Sequence, residues 1–296
     1  MEVATVPVQI VNAFVDGGRG GNPAGVVLDA QRFSQEAKQR IAARAGLSET
    51  AFVSPSSVAA FKLEFFTPTR QIPHCGHATI ATFSYLAQLG QVGAGPSSKE
   101  TSDGTRAIFM RGDMAFMEQT APRYTPLSRT AVDPAAVLAS LHLTADDLLP
   151  GQAMTVVNTG VNCLVIPLRD EATLLRIDPD FPAITEVSRV LDLVEYYVFS
   201  MQTRVAGRDA GARMFAPYYG IPEESATGMA AGPLACFLHD YLDVKKPKMI
   251  IEQGHLMTPP SPSELTAELT VEDGHIRRVL VGGRAIVAKT IEVETE

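Results

Sequence analysis

Four residues, His74-Cys75-Gly76-His77, put a thiol and two imidazoles at the head of an apolar run, with Thr79 just inside it. Such a set could serve as proton carriers, as an activated thiol or as metal ligands. Ile80, Phe83, Tyr85, Leu86 and Leu89 are interleaved with small residues and followed by Gly90, the pattern of a helix buried on most faces. The first N–H groups of a helix have no partner within it, so this end offers donors to a ligand, and a carboxylate suits them best. Cys75, Gly76 and Thr79 are therefore candidate substrate-binding positions, although Cys75 reads first as a small pocket wall.

Glu49 is the next candidate, in Leu47-Ser48-Glu49-Thr50-Ala51-Phe52-Val53. From residue type alone it reads as a solvated surface glutamate. Its place between a helix and a strand suggests instead a carboxylate at the rim of the core. Ser34 begins that helix, Ala37, Ile41, Ala42 and Ala45 share one face, and Gly46 ends it. Phe61-Lys62-Leu63-Glu64-Phe65 alternates with period two and leads a strand to the His74-Cys75 corner, with Pro68 and Pro73 closing it.

The corner recurs. Phe215-Ala216-Pro217 repeats Phe66-Thr67-Pro68 149 positions later, Pro222 matches Pro73, and Glu224-Ser225-Ala226-Thr227-Gly228 takes the place of Cys75 to Thr79. A small-residue helix, Met229 to Tyr241, follows. Two copies this far apart predict two similar lobes with a cleft between them. Short strands around one apolar helix in each half predict an α+β fold in which each lobe is a curved, mostly antiparallel sheet wrapped on a central helix. The N-terminal lobe is expected over 1–122, joined by about 283–296, and the C-terminal lobe over 123–282.

Other segments fall into place around these. Val6 to Phe14 reads as a first strand, and Asp16 to Pro23, with four glycines, as a hairpin loop rather than a phosphate cradle, since the Walker spacing and its lysine are absent. Asn22 lies at its end, within reach of the cleft. Arg111-Gly112-Asp113 is a hairpin turn, and 121–129 is the best linker in the chain. Asp133-Pro134 and Thr144 start short helices, strands follow at 154–158 and 163–168, and a helix at 184–193 leads to the strand 196–200. Asp273-Gly274 and Gly282-Gly283 turn the last strands.

A chain of 296 residues, 46% hydrophobic and 20% charged, is ordinary for a globular protein, and a net charge of -8 leaves no basic footprint for nucleic acid. Three cysteines without metal-type spacing argue for a reducing cytoplasmic setting, and Glu2 with a short, interrupted apolar stretch argues against a leader or a membrane anchor.

Gly21-Asn22-Pro23, the Leu47–Val53 segment, Phe66-Thr67-Pro68 with Cys75-Gly76-His77-Ala78-Thr79, and Phe215-Ala216-Pro217 with Ile221 to Gly228 together resemble the PhzF phenazine-biosynthesis family, in its order and over nearly the whole chain. The resemblance implies the diaminopimelate epimerase-like fold, with the active site between the lobes. It also implies a cofactor-independent isomerase that moves a carbon-bound proton in a small cyclic carboxylic acid. By it Glu49 matches the acid/base, while His77 and Glu224 match residues lining the site. Burial near a second carboxylate would bring the Glu49 pKa toward neutrality. Thr227, Gly228 and Met229 would bind substrate from the second helix. The chain departs from the family pattern at Glu224 for aspartate, Ser225 for proline, Met229 for serine and Gln71 for an acid. The expected partner is a small-molecule carboxylate, with no nucleic acid, no membrane and no metal. The resemblance also makes a homodimer the expected assembly, and the run Tyr196 to Phe199 is apolar enough for an interface or for a core strand.

Two alternatives stay open. A cysteine-dependent racemase of the same fold needs a second thiol near Glu224 to Ala226, and Cys236 lies about three helical turns too far along. A non-catalytic acid-binding or scaffold protein would keep Glu49 for packing, pointing to water rather than pairing with His77.

Overall fold

The chain, seen in a computed structural model that describes residues 5–295, divides into two units: Met1–Met117 with Gly282–Glu296, and Glu118–Val281. In the first, β1 (Thr5–Ala13) pairs antiparallel with β2 (Asn22–Val27), and the glycine-rich segment between them is the expected hairpin loop. Helix α1 (Gln35–Ala45) starts at Ser34, whose hydroxyl accepts from the Ala37 amide, and stops at Gly46 in the left-handed region with φ 67°. Its buried residues are Lys38, Ile41 and Ala42, with Ala37 and Ala45 only half-buried. Lys38 goes inside because Glu64 waits there as a buried ion-pair partner.

Strand β3 (Thr50–Ser54) lies parallel to β2 and antiparallel to β4 (Phe61–Phe66), onto which β5 (Gln71–Ile72) folds back. Helix α2 (Gly76–Gln88) follows, one position from the expected corner, and packs on β1, β2 and β3. β6 (Gly95–Thr101) runs parallel to β4, and β7 (Gly104–Arg111) and β8 (Met114–Gln119) extend the sheet by hairpins. A core of Val6, Val8, Ile41, Ala42, Phe52 and Phe66 holds α1 to this sheet.

The second unit repeats the plan. The segment expected as a linker contributes β9 (Arg123–Pro126), which pairs with β10 (Thr155–Asn158) after α3 (Pro134–Ala139). β11 (Asn162–Leu168), α4 (Glu171–Leu175), α5 (Phe181–Leu191), β12 (Leu193–Ser200), β13 (Ala210–Ala216), β14 (Ile221–Glu224) and α6 (Gly228–Tyr241) follow, then β15 (Lys248–Gln253), β16 (Ser263–Glu272) and β17 (His275–Gly283). The last strand, β18 (Ala285–Glu294), returns to the first unit and pairs antiparallel with β1. Tyr196 to Phe199 lie inside β12 with no exposure, so they form a core strand rather than an interface.

The pairing signs match strand for strand. β1–β2 and β10–β11 are antiparallel, β2–β3 and β11–β12 parallel, β3–β4 and β12–β13 antiparallel, and β4–β6 and β13–β15 parallel. Each unit is thus the expected mostly antiparallel sheet with one apolar helix, α2 or α6. Among the described residues no helix is long and apolar enough to cross a membrane. Glu2 lies outside those residues.

Candidate active site

The first unit brings Glu49, Cys75 and His77 together. Glu49 ends the connection from α1 and opens β3. Its carbonyl accepts from the Gly25 amide at 2.9 Å, and a Cβ on Gly25 would lie 2.7 Å from the Thr50 hydroxyl, so only glycine lets β2 and β3 approach this closely. His77 is in the first turn of α2, with Nε2 3.2 Å from Glu49 Oε2 and Nδ1 3.6 Å from Cys75 Sγ. The Glu49 side chain is 13% exposed and that of His77 6%, which rules out the solvated reading of Glu49. Burial pushes the Glu49 carboxyl up, but the close, charged imidazole of His77 outweighs it, and the net position is below the ordinary 4.5. This reverses the expected rise: the imidazole, not a second carboxylate, is the neighbour that counts.

A metal shared by all three residues meets a geometric objection. Glu49 sits at one ring nitrogen and Cys75 at the other, so no single imidazole lone pair points at a site common to both.

Behind the corner lies a group that its sequence setting, Ser97-Ser98-Lys99-Glu100, hides. Lys99 of β6 has no exposure; its Nζ donates to Thr79 Oγ1 at 2.6 Å and to His74 Nδ1 at 2.9 Å, and lies 5.0 Å from the centre of the Phe65 ring. Thr79 in turn donates to the Cys75 carbonyl at 2.6 Å. The Thr79 hydroxyl therefore braces the corner from inside and does not face a ligand, contrary to the substrate-binding role expected for it. Burial pulls the Lys99 ammonium down to about 7, the Cys75 side opposing and Arg106 adding to the fall. His74 is held down to about 3 by burial and then by Lys99, so it is neutral and accepts.

Cys75 is the N-cap of α2 and makes no side-chain cap bond, which leaves the first-turn amides, Gly76 among them, to the corner rather than to a cap. Asn22 begins β2 and is buried.

In the second unit Glu224 ends β14, and the Thr227 hydroxyl donates to its carboxylate. Gln253 organises this turn: Nε2 donates to the Glu224 carbonyl at 2.7 Å, while Oε1 accepts from the Thr227 amide at 3.1 Å and from the Tyr197 hydroxyl at 2.9 Å. Gly228 and Met229 are the half-buried first residues of α6, and Thr227, its N-cap, also lacks a side-chain cap bond. Gln253 was not legible in the sequence, because its partners come from two segments far from it, β12 and the turn before α6.

The model of a phenazine biosynthesis-like protein family, PhzC-PhzF, matches residues 11–290. An uncharacterized isomerase of Escherichia coli K12, YddE, is 32% identical over 285 residues, 94% of each chain. The trans-2,3-dihydro-3-hydroxyanthranilate isomerase of Pseudomonas aeruginosa is 30% identical over 270 residues, 88% of this chain and 89% of that one. Among solved structures, a PhzF-family phenazine biosynthesis protein of Bacillus anthracis superposes with a TM-score of 0.86 at 26% identity, covering 98% of this chain and 99% of that one.

Proposed function

The chain belongs to the phenazine biosynthesis-like PhzC-PhzF family and is an isomerase of that type; from that premise we propose that Glu49 moves a carbon-bound proton in a small cyclic carboxylic acid without a cofactor. The observation that carries this reading is the 3.2 Å contact between Glu49 and His77. A carboxylate held below the ordinary glutamate range is ionised at neutral pH, so Glu49 rests as the base. Once it takes the proton from the substrate carbon, His77 beside it stabilises the carboxyl in position until the proton is returned to another carbon.

Amides at the start of α2 suit the substrate carboxylate, because a helix N-terminus carries partial positive charge and unused donors. Glu224 is assigned to substrate positioning by its match to the family carboxylate. Its grip by Thr227 supports this, since the hydroxyl leaves the side chain few rotamers. The name of the Pseudomonas relative supports a cyclic acid as the substrate class.

The test is turnover of small cyclic carboxylic acids in deuterated water, read by mass spectrometry and NMR. Deuterium should appear at the newly protonated carbon with wild-type protein and not with Glu49→Gln. Full exchange by Glu49→Gln would reject Glu49 as the proton carrier.

A further inference from the structure

Glu49 has a counterpart that the reaction described so far does not use. In the first unit Thr50 pairs with Phe66 of the Phe66-Thr67-Pro68 corner; in the second Tyr196 pairs with Phe215 of Phe215-Ala216-Pro217. The residues just before these are Glu49 and Glu195. Each stands three positions past a left-handed helix stop, Gly46 after α1 and Asp192 after α5. Each also lies where its strand runs parallel to the preceding one.

Their surroundings differ. Glu49 meets an imidazole from α2. Glu195 is 1% exposed and sits opposite Cys163 in the β11–β12 register; apart from that thiol, which is only a weak donor, neither carboxyl oxygen has a hydrogen-bond partner. Glu195, Tyr197 and Phe199 alternate onto one face of β12, and Phe199 meets the Phe237 ring of α6. Tyr197 pairs with Met214, and Met214 with Glu224, so Glu224 joins the same region of the sheet. A lone carboxylate in such a place lacks the donors that make burial of charge tolerable, whereas a carboxylic acid does not need them.

Resting on the function proposed above, we propose that Glu195 is a positioning residue for Glu224: the two form a one-proton carboxyl pair in which Glu195 holds the proton and Glu224 presents the charge. The titratable groups whose charge reaches Glu195 are Cys163, opposite it on β11, Tyr197 on its own strand, Glu224 of β14 and Tyr219 of the turn before β14. Burial, then the Glu224 charge, push Glu195 up to about 8. Below that pH the pair carries one negative charge; above it a second charge forms beside the first and drives Glu224 from its place. The two units thus hold equivalent glutamates in opposite states, one ionised against an imidazole and one protonated against a carboxylate. Environments that push paired groups apart in this way are how one protein keeps a base and an acid at the same pH.

Infrared difference spectra test the proton directly. Wild-type protein at pH 7 should show the C=O stretch of a buried carboxylic acid, which Glu195→Gln removes and which titrates with a midpoint of about 8. In turnover, kcat/KM should fall above that midpoint, about tenfold by one pH unit past it. Glu195→Gln cannot ionise and should lose this alkaline limb, while Glu195→Asp should keep both limb and band. A Glu195→Gln protein with the wild-type alkaline limb overturns the proposal, as does the absence of the band. If Glu195→Gln does not fold, the wild-type and Glu195→Asp bands and limbs decide, since they must move together. The infrared result stands even if no cyclic acid is turned over, so its failure is separable from failure of the isomerase reading, which Glu49→Gln tests.

Discussion

His77 stands between two groups of opposite chemistry, its Nε2 3.2 Å from Glu49 Oε2 and its Nδ1 3.6 Å from Cys75 Sγ. One imidazole can therefore balance the charge of the carboxylate while the thiol occupies the other nitrogen. Of the two neighbours, Glu49 makes the shorter contact, in keeping with the proton-carrier role proposed for it.

Glu49→Gln should lower kcat by roughly 100- to 10,000-fold, the range of general acid/base groups, with the fold unchanged because the amide fills the same volume. Cys75→Ala should retain most of the activity. Steady-state kinetics with circular dichroism on both variants is the check, and a dead Cys75→Ala beside an active Glu49→Gln would transfer the chemistry to the thiol.

The pH response of Glu49 has a definite sign. A carboxyl whose folded pKa lies below the ordinary 4.5 adds stability above 4.5, and the gain is lost as pH falls through the folded value. His77→Asn leaves burial as the dominant influence, so the Glu49 pKa should rise above 4.5 and the acid limb of kcat/KM should move to higher pH. Comparing the ratio of rates at pH 5 and pH 8 in the two proteins measures this; an unmoved ratio means His77 does not tune Glu49.

Lys99 behaves in the opposite sense to a surface lysine. Its folded pKa of about 7 is below the ordinary 10.5, so the unfolded chain binds its proton more readily between those values. Stability from this group should rise with pH across that window, by at most about tenfold in the unfolding constant per pH unit. Denaturant midpoints at pH 7 and pH 9 should differ less in Lys99→Met than in wild type.

Gln253→Leu removes the shared partner of the Glu224 carbonyl, the Thr227 amide and the Tyr197 hydroxyl. Leaving buried groups unpaired costs about 1–3 kcal/mol each at most, and relaxation of the turn reduces the total, so a loss of roughly 2 kcal/mol is expected by chemical denaturation. A change in Glu224-dependent kinetics without any loss of stability would contradict the bracing role.

The elements that carry the corner were legible because their signals are local. Ser34 and Gly46 bracket α1, period-two alternation gives β4, and the Phe-x-Pro repeat gives both corners. What stayed hidden depends on distant pairing. Lys99 looks solvated among Ser98 and Glu100 until β6 lies beside β4 and turns it inward. Thr79 could be placed at a helix start, but not which way its hydroxyl turns, which Lys99 decides. Glu195 had a usable signal, its position three residues beyond a helix stop. Asp192 in place of a glycine, and Leu193-Val194 in place of Leu47-Ser48, disguised the correspondence with Glu49.

The return of β18 to the first unit sets an order of assembly. β18 pairs along the length of β1, the Ala285 amide donates to Ser84 Oγ at 3.0 Å, and its carbonyl accepts from Gln88 Nε2 at 2.7 Å, so the far end of α2 is held by residues synthesised after the whole second unit. On the ribosome the unit 118–281 can complete its own sheet while the earlier-made unit still lacks a strand. The unit that carries Glu49 would then become rigid after the other, and a nascent chain released short of β18 would carry an open β1 edge, a surface that chaperones and proteases recognise.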